Sequence, residues 1–245
     1  MAVKENSPLE QFEISRLVDI QVGGLDASFT NSSLMMVIVL ALAVVSLGAG
    51  MRRRAMVPGR WQSIVELTYE FIADMLRENV GSEGRRYFPF VFTLFMFILL
   101  CNLLGLVPYS FTVTSHIVVT FALAAIVFVG VTVIALVRHG VRFFTFFVPP
   151  GLPVVLAPLL VPIEVISYLA RPVTLSLRLF ANMMAGHTML KVFGGFVVAL
   201  GLFGFAPFVF IIAIYALELI VAVLQAYVFT VLTCLYLNDA IHLQH

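Results

Sequence analysis

The chain has 245 residues, of which 62% are hydrophobic and only 11% charged, and its mean hydropathy is +1.09. So few polar residues cannot cover a soluble globule of this size, and the composition therefore predicts an integral membrane protein. The formal net charge of +1 offers no general attraction to phosphate backbones, so we expect no nucleic-acid partner.

The first third of the chain predicts an outer arm, a membrane span and a surface helix. Residues 1–33 are rich in acidic side chains, unlike a signal peptide, and we expect this arm to remain in the mature protein. Residues 34–51 form an apolar run that stops at MRRR, which predicts the first span. In residues 59–80, apolar positions recur every three or four residues between charged ones, which predicts an amphipathic surface helix.

Residues 88–137 predict a helical hairpin whose two apolar segments both cross the membrane. The beginning and the end of this hairpin adjoin connections rich in arginine, and such connections lie on the cytoplasmic side. This places the N-terminus outside and the C-terminus in the cytoplasm.

Residues 150–237 predict a second, longer hairpin with a glycine-rich turn over 194–204, followed by a tail, 238–245. At about 1.5 Å per residue, a helix over residues 159–190 would measure about 48 Å, well beyond the roughly 30 Å of a hydrocarbon core. It must therefore tilt or kink, and we expect Pro172 to bend it.

These elements make up one membrane domain over residues 1–245. The predicted fold class is an all-α integral membrane protein with about five transmembrane crossings, an amphipathic surface helix and a long, strongly tilted C-terminal helical hairpin.

Polar residues interrupt the long hairpin in a pattern. Arg178 and Asn182 lie inside the apolar stretch TLSLRLFANMMAGH. On a helix, Arg171 returns to the face of Arg178 and Glu164 lies only about 40° from it, whereas His187 points roughly the opposite way.

The last helix carries Glu218 and Gln225, seven residues apart and on one face. In an antiparallel hairpin, pairs of residues at one height have a nearly constant sum of residue numbers. This register sets Gln225 level with Arg178 and Glu218 level with His187. It also sets Glu164 opposite the polar inner end of the last helix.

Ionisable groups inside a membrane are expensive, so they mark functional sites by default. Structural alternatives remain open from the residues alone. His187 and Glu218 could form a simple hydrogen bond between helices, as could the two amides. Arg171 could line an inner path, snorkel, or only form an ion pair with Glu164.

Three motifs of the long hairpin are distinctive: PIEVISYLARPVTLSLRLF, LRLFANMMAGH and ELIVAVLQAYVFTVLTCLYLNDAI. In these motifs, and from the first span to the C-terminal hairpin, the chain resembles subunit a of the F-type ATP synthase. The resemblance implies a non-catalytic stator subunit, without cofactor or metal, that passes protons through two offset half-channels to carboxylates of the c-subunit ring. The further partners it implies are b-type subunits of the peripheral stalk, other ATP synthase subunits and membrane lipids. We expect a multi-pass protein of the bacterial cell inner membrane, in preference to the mitochondrial one.

The resemblance also assigns residues of the long hairpin to proton translocation. They are Arg178, Asn182, Gln225, His187, Glu218, Glu164 and Ser167. We expect Arg171 of the hairpin, with Asp239 and His242 of the tail, to be auxiliary residues. Arg178 would face the ring carboxylate, with the two amides as its polar neighbours. Glu164 would line the cytoplasmic path, and His187 with Glu218 the outer one, in the mitochondrial-like arrangement of His and Glu.

Two other functions fit the sequence less well. A secondary proton-coupled transporter would normally show an internal repeat or paired broken helices, and neither is visible. A haem-binding membrane anchor needs two histidines facing each other, but the residue level with His187 is Glu218.

Overall fold

The computed structural model of the chain is almost entirely helical. It describes residues 12–19, 21–22, 25–26, 28–52, 58–107, 110–147 and 157–242. The helices are α1 Asn31–Met51, α2 Arg60–Val80, α3 Phe88–Gly105, α4 Ile117–His139, α5 Ala157–Leu200 and α6 Phe205–Ile241. Tight 3₁₀ turns connect them at Ser82–Tyr87, Val113–Ser115, Gly140–Phe147 and Gly201–Gly204.

In the described part of the chain, five helical segments are long and apolar enough to cross a membrane. They are Asn31–Met51, Ser82–Gly105, Ile117–Phe143, Pro158–Leu200 and Phe205–Ile241. This confirms the five predicted crossings and the long C-terminal helices. Helix α2 is not among them, and it buries one face through Ile72, Met75, Leu76 and Val80.

The N-terminal arm contains short strands that the all-α prediction does not include. They are β1 Arg16–Val18, β2 Gln21–Val22, β3 Leu25–Asp26 and β4 Phe29–Thr30, paired antiparallel as β1 with β4 and β2 with β3. Helix α1 begins at Asn31, three residues before the predicted span. Thr30 explains this early start, because its Oγ1 accepts a hydrogen bond from the backbone N–H of Ser33 at 3.3 Å and so caps the helix.

The turn of the long hairpin is shorter than the sequence predicts. Gly194 and Gly195 lie within α5, which continues to Leu200, and only Gly201–Gly204 form the turn. Gly201 has a φ of +55°, a left-handed conformation that ends the helix at little cost for glycine. Helix α6 likewise runs to Ile241, four residues beyond the predicted boundary. The start of the predicted hairpin, residues 150–156, lies outside the described residues.

The chain forms two compact units. The first comprises Met1–Arg54, Met96–His116 and Leu179–Ala226, and the second comprises Ala55–Phe95, Ile117–Arg178 and Tyr227–His245. Pro162 and Pro172 both lie inside the continuous helix α5. The bend expected at Pro172 and the tilt of the helix remain predictions.

Within the first unit, α6 packs antiparallel to α5 and also contacts the end of α3. The rings of Phe193 and Phe210 stack with their centroids 5.9 Å apart. Asn102 Nδ2 donates a hydrogen bond to the carbonyl oxygen of Ala222 at 3.1 Å. The Tyr215 hydroxyl donates to the carbonyl oxygen of Leu106 at 3.2 Å. The polar side chains of these apolar helices thus form hydrogen bonds that hold the helices together.

Candidate functional site

An imidazole and a carboxylate meet between α5 and α6 in the first unit. Nδ1 of His187 contacts Oε1 of Glu218, and the two side chains are only 10% and 3% exposed. This contact confirms the register predicted for the pair. Glu218 Oε2 is buried and has no hydrogen-bond partner within the described ranges. Burial of a carboxylate is costly, so a contact with an imidazole, which can bind or release a proton, is a chemically apt arrangement for proton exchange.

Gly186 makes room for this pair. A Cβ atom at this position would lie 2.6 Å from Glu218 Oε1 and 2.8 Å from its carboxyl carbon. Both distances are shorter than side chains tolerate, so the carboxylate occupies the space that any other residue at this position would fill. The motif MMAGH thus supplies both the histidine and the gap beside it.

A cavity of about 460 Å³ opens beside His187. Its lining combines the end of α3, the segment after it, and α5 with α6: Gly105, Leu106, Val107, Ser110, Thr112, His187, Leu190, Lys191, Gly194, Ile211 and Tyr215. His187 Nε2 is buried and, among the described residues, has no hydrogen-bond partner. The cavity is large enough for several water molecules, and its mostly apolar wall includes polar side chains that can bind them.

Asn182 and Gln225 form the second contact of the first unit. Asn182 Nδ2 donates a hydrogen bond to Gln225 Oε1 at 2.9 Å. Asn182 is exposed, whereas Gln225 is only 4% exposed. The sequence sets Gln225 level with Arg178, but its hydrogen-bond partner is Asn182, one helical turn further along α5.

In the second unit, Arg171 is held by a carboxylate and three aromatic rings. Its Nη1 donates to Asp239 Oδ2 at 3.0 Å. Its guanidinium carbon lies 5.0, 5.3 and 5.7 Å from the ring centres of Tyr236, Tyr168 and Phe146. One alternative from the sequence is an ion pair between Arg171 and Glu164, but the ion-pair partner of Arg171 is Asp239.

The other predicted residues of the second unit are more accessible. Arg178 and Ser167 are exposed, and Glu164 is half-buried. His242 is exposed, and its Nδ1 lies 2.9 Å from Asn238 Oδ1. Helix α5 also exposes apolar side chains in the segment before Arg178: Leu159, Ile163, Ile166, Leu169, Val173 and Leu177.

Several residues near the site are not predicted from the sequence. Asn102 carries a detectable signal, since a lone amide in an apolar span indicates a contact between helices. Gly186 and Tyr236 carry none, because their importance depends on a neighbour from another helix.

His116, which stacks on Phe111 at 5.0 Å, also belongs to the first unit. Burial lowers the pKa of His116, which favours its neutral form.

Comparisons with known proteins point in one direction. A family model described as ATP synthase A chain matches residues 32–238. Subunit a of the ATP synthase from Paramagnetospirillum magneticum is 57% identical over 244 residues, with 97% of this chain and 99% of the relative covered. The corresponding subunit of Rhodospirillum rubrum is 56% identical over 239 residues, with 97% and 99% covered. That of Pelagibacter ubique is 52% identical over 241 residues, with 98% and 99% covered.

Proposed function

The chain belongs to the ATP synthase A chain family, which mediates proton translocation in the F-type ATP synthase, and we propose a proton path through its residues. The protein is a multi-pass membrane subunit of that complex, and the other ATP synthase subunits are its partners. Its role is to couple the proton-motive force to ATP synthesis. We assign it no catalytic step of its own, since its ionisable groups serve to move protons.

Proton uptake uses His187 and Glu218. Water in the adjoining cavity delivers a proton to Nε2 of His187, and the imidazolium releases the proton on Nδ1 to Oε1 of Glu218. The neutral ring then exchanges its remaining proton from Nε2 to Nδ1 before it relays the next one. Histidine suits this relay because each ring nitrogen can bind or release a proton near neutral pH. The observation that carries this proposal is the buried contact of the two side chains beside the cavity.

Glu218 then passes the proton to a carboxylate on a subunit of the c ring. Once neutral, that carboxylate can move into lipid, where a charged one would be costly. The pair Asn182 and Gln225 provides polar side chains for this transfer. Its hydrogen bond supports the role, because it keeps two amides partnered in an otherwise apolar setting.

Arg178 faces the ring carboxylate and attracts it when it has lost its proton. Two features support this assignment: the Arg178 side chain is exposed, and the part of α5 that precedes it also exposes apolar side chains. Such a face suits a neighbouring helix. A guanidinium keeps its charge even when partly desolvated, so it neither carries a proton nor lets one pass directly between the two paths.

Proton release uses Glu164 and Ser167 on the cytoplasmic side, with His242 as an auxiliary group. The N-terminus lies outside and the C-terminus in the cytoplasm, which agrees with the basic residues between the spans. We also assign the b-type subunits of the peripheral stalk as partners. Each proton gains only about 2.3 kcal/mol per 100 mV, so several protons must be coupled through rotation of the ring.

Arg178→Ala tests the central assignment. In membrane vesicles that carry the whole complex, we expect loss of ATP-driven proton pumping and of ATP synthesis, while ATP hydrolysis by the detached soluble part is retained. Arg178→Lys is the conservative control, and we expect it to be impaired as well because lysine can neutralise when buried. Normal pumping by Arg178→Ala would refute the assignment.

Single and double substitutions test the relay. His187→Ala and Glu218→Ala should each slow passive proton conduction after the soluble part is removed. If the two residues share one path, the double variant should be no slower than the slower single variant. Full conduction in both single variants would eliminate the proposed uptake path.

A further inference from the structure

Phe12 is the only buried residue in the described start of the N-terminal arm. It is 8% exposed, whereas residues 13–19 are all exposed. Its ring stacks on the imidazole of His187, with the ring planes 9° apart and the centroids separated by 6.4 Å. This is an offset parallel arrangement of the kind that stabilises aromatic pairs.

Asn31, the first residue of α1, fixes the backbone that follows Phe12. Its Nδ2 donates to the carbonyl oxygen of Glu13 at 3.1 Å, and its Oδ1 accepts from the backbone N–H of Ser15 at 3.3 Å. Its own backbone N–H donates to the carbonyl oxygen of Ser15 at 3.1 Å. Three hydrogen bonds to one residue therefore hold the arm where Phe12 reaches His187.

We propose that Phe12 is a positioning residue for His187 and that Asn31 fixes the position of Phe12. The proposal rests on the proton-uptake role of His187 given above. The phenyl ring packs parallel to the imidazole with a large sideways offset, and it limits the space in which the imidazole can rotate. Nδ1 then stays on Glu218, and Nε2 remains the nitrogen that receives protons. Because proton transfer requires aligned donors and acceptors, a freely rotating imidazole would relay protons more slowly.

The competing interpretation is that Phe12 only buries apolar surface. Leucine would serve that purpose nearly as well, because it is also large and apolar, but it offers no flat face to an imidazole. Tyrosine keeps the flat ring. The comparison of Phe12→Leu with Phe12→Tyr therefore separates stacking from simple burial.

The measurement is passive proton conduction by vesicles that carry the complex after removal of the soluble part, normalised to the amount of complex. We expect Phe12→Leu to be about two- to tenfold slower than wild type, the factor that one aromatic pair contributes. Phe12→Tyr should be close to wild type. Asn31→Ala should be slowed in the same direction as Phe12→Leu. Phe29→Leu, a half-buried ring of the same arm, is the matched control and should conduct normally.

Combination with His187→Ala shows whether Phe12 acts through the histidine. In that background, Phe12→Leu should cause no further loss, because the group that it positions is gone. A further loss of similar size, or equal conduction by Phe12→Leu and wild type, would overturn the inference. If His187→Ala itself conducts normally, the relay proposal fails instead, so the two failures are distinguishable.

Discussion

At the scale of single residues, Gly186 leaves room for the proposed relay because it has no side chain. Alanine would place its Cβ 2.6 Å from Glu218 Oε1, so the carboxylate would have to shift beside His187. We expect Gly186→Ala to slow passive proton conduction by about tenfold or more, as misplacement of reacting groups does.

Gly195→Ala is the matched control for this prediction. Gly195 lies in the same helix, and a Cβ atom there would meet nothing within 4 Å. Alanine in a helix interior also favours the helix, so this variant should conduct normally. Equal conduction by the two variants would show that the gap beside Glu218 is not required.

At the scale of elements, Arg171 connects α5 to α6 in the second unit. Arg171→Lys keeps the charge but loses the flat guanidinium that lies among three rings. We expect it to lower the stability of the assembled subunit by about 1–2 kcal/mol, measured as a lower temperature of half-unfolding in detergent. Arg77→Lys, on the surface of α2, is the control and should leave that temperature unchanged.

Asp239→Asn separates the ion pair from the aromatic contacts. The amide can still accept a hydrogen bond from Arg171 but no longer carries charge, so we expect a smaller loss of stability than for Arg171→Lys. If both variants unfold like wild type but conduct protons poorly, Arg171 belongs to the proton path and does not act as a structural connection.

At the scale of the whole chain, the sequence predicts the features that depend on the polarity of the side chains and on the periodicity of the α-helix. Runs of apolar residues reveal the five spans, and the period of the helix with antiparallel register brings His187 to Glu218. The turn between α5 and α6 is mispredicted because glycine permits a turn without requiring one, and Gly194 is accommodated in the helix. The ring of Phe12 and the partner of Arg171 are beyond prediction, because both depend on how distant segments meet.

The orientation of the chain can be tested with one cysteine on each side of the membrane. Cys101 and Cys234 are buried, so their replacement by alanine should remove background labelling at modest cost. In that background, we introduce Asp19→Cys in the exposed N-terminal arm or His242→Cys at the exposed position directly after α6. A membrane-impermeant maleimide should label the first variant in intact cells and the second only in inverted vesicles. Detergent should make both react, which controls for thiol reactivity. The reverse pattern would place the basic connections outside, invert the proposed topology and exchange the proposed uptake and release paths.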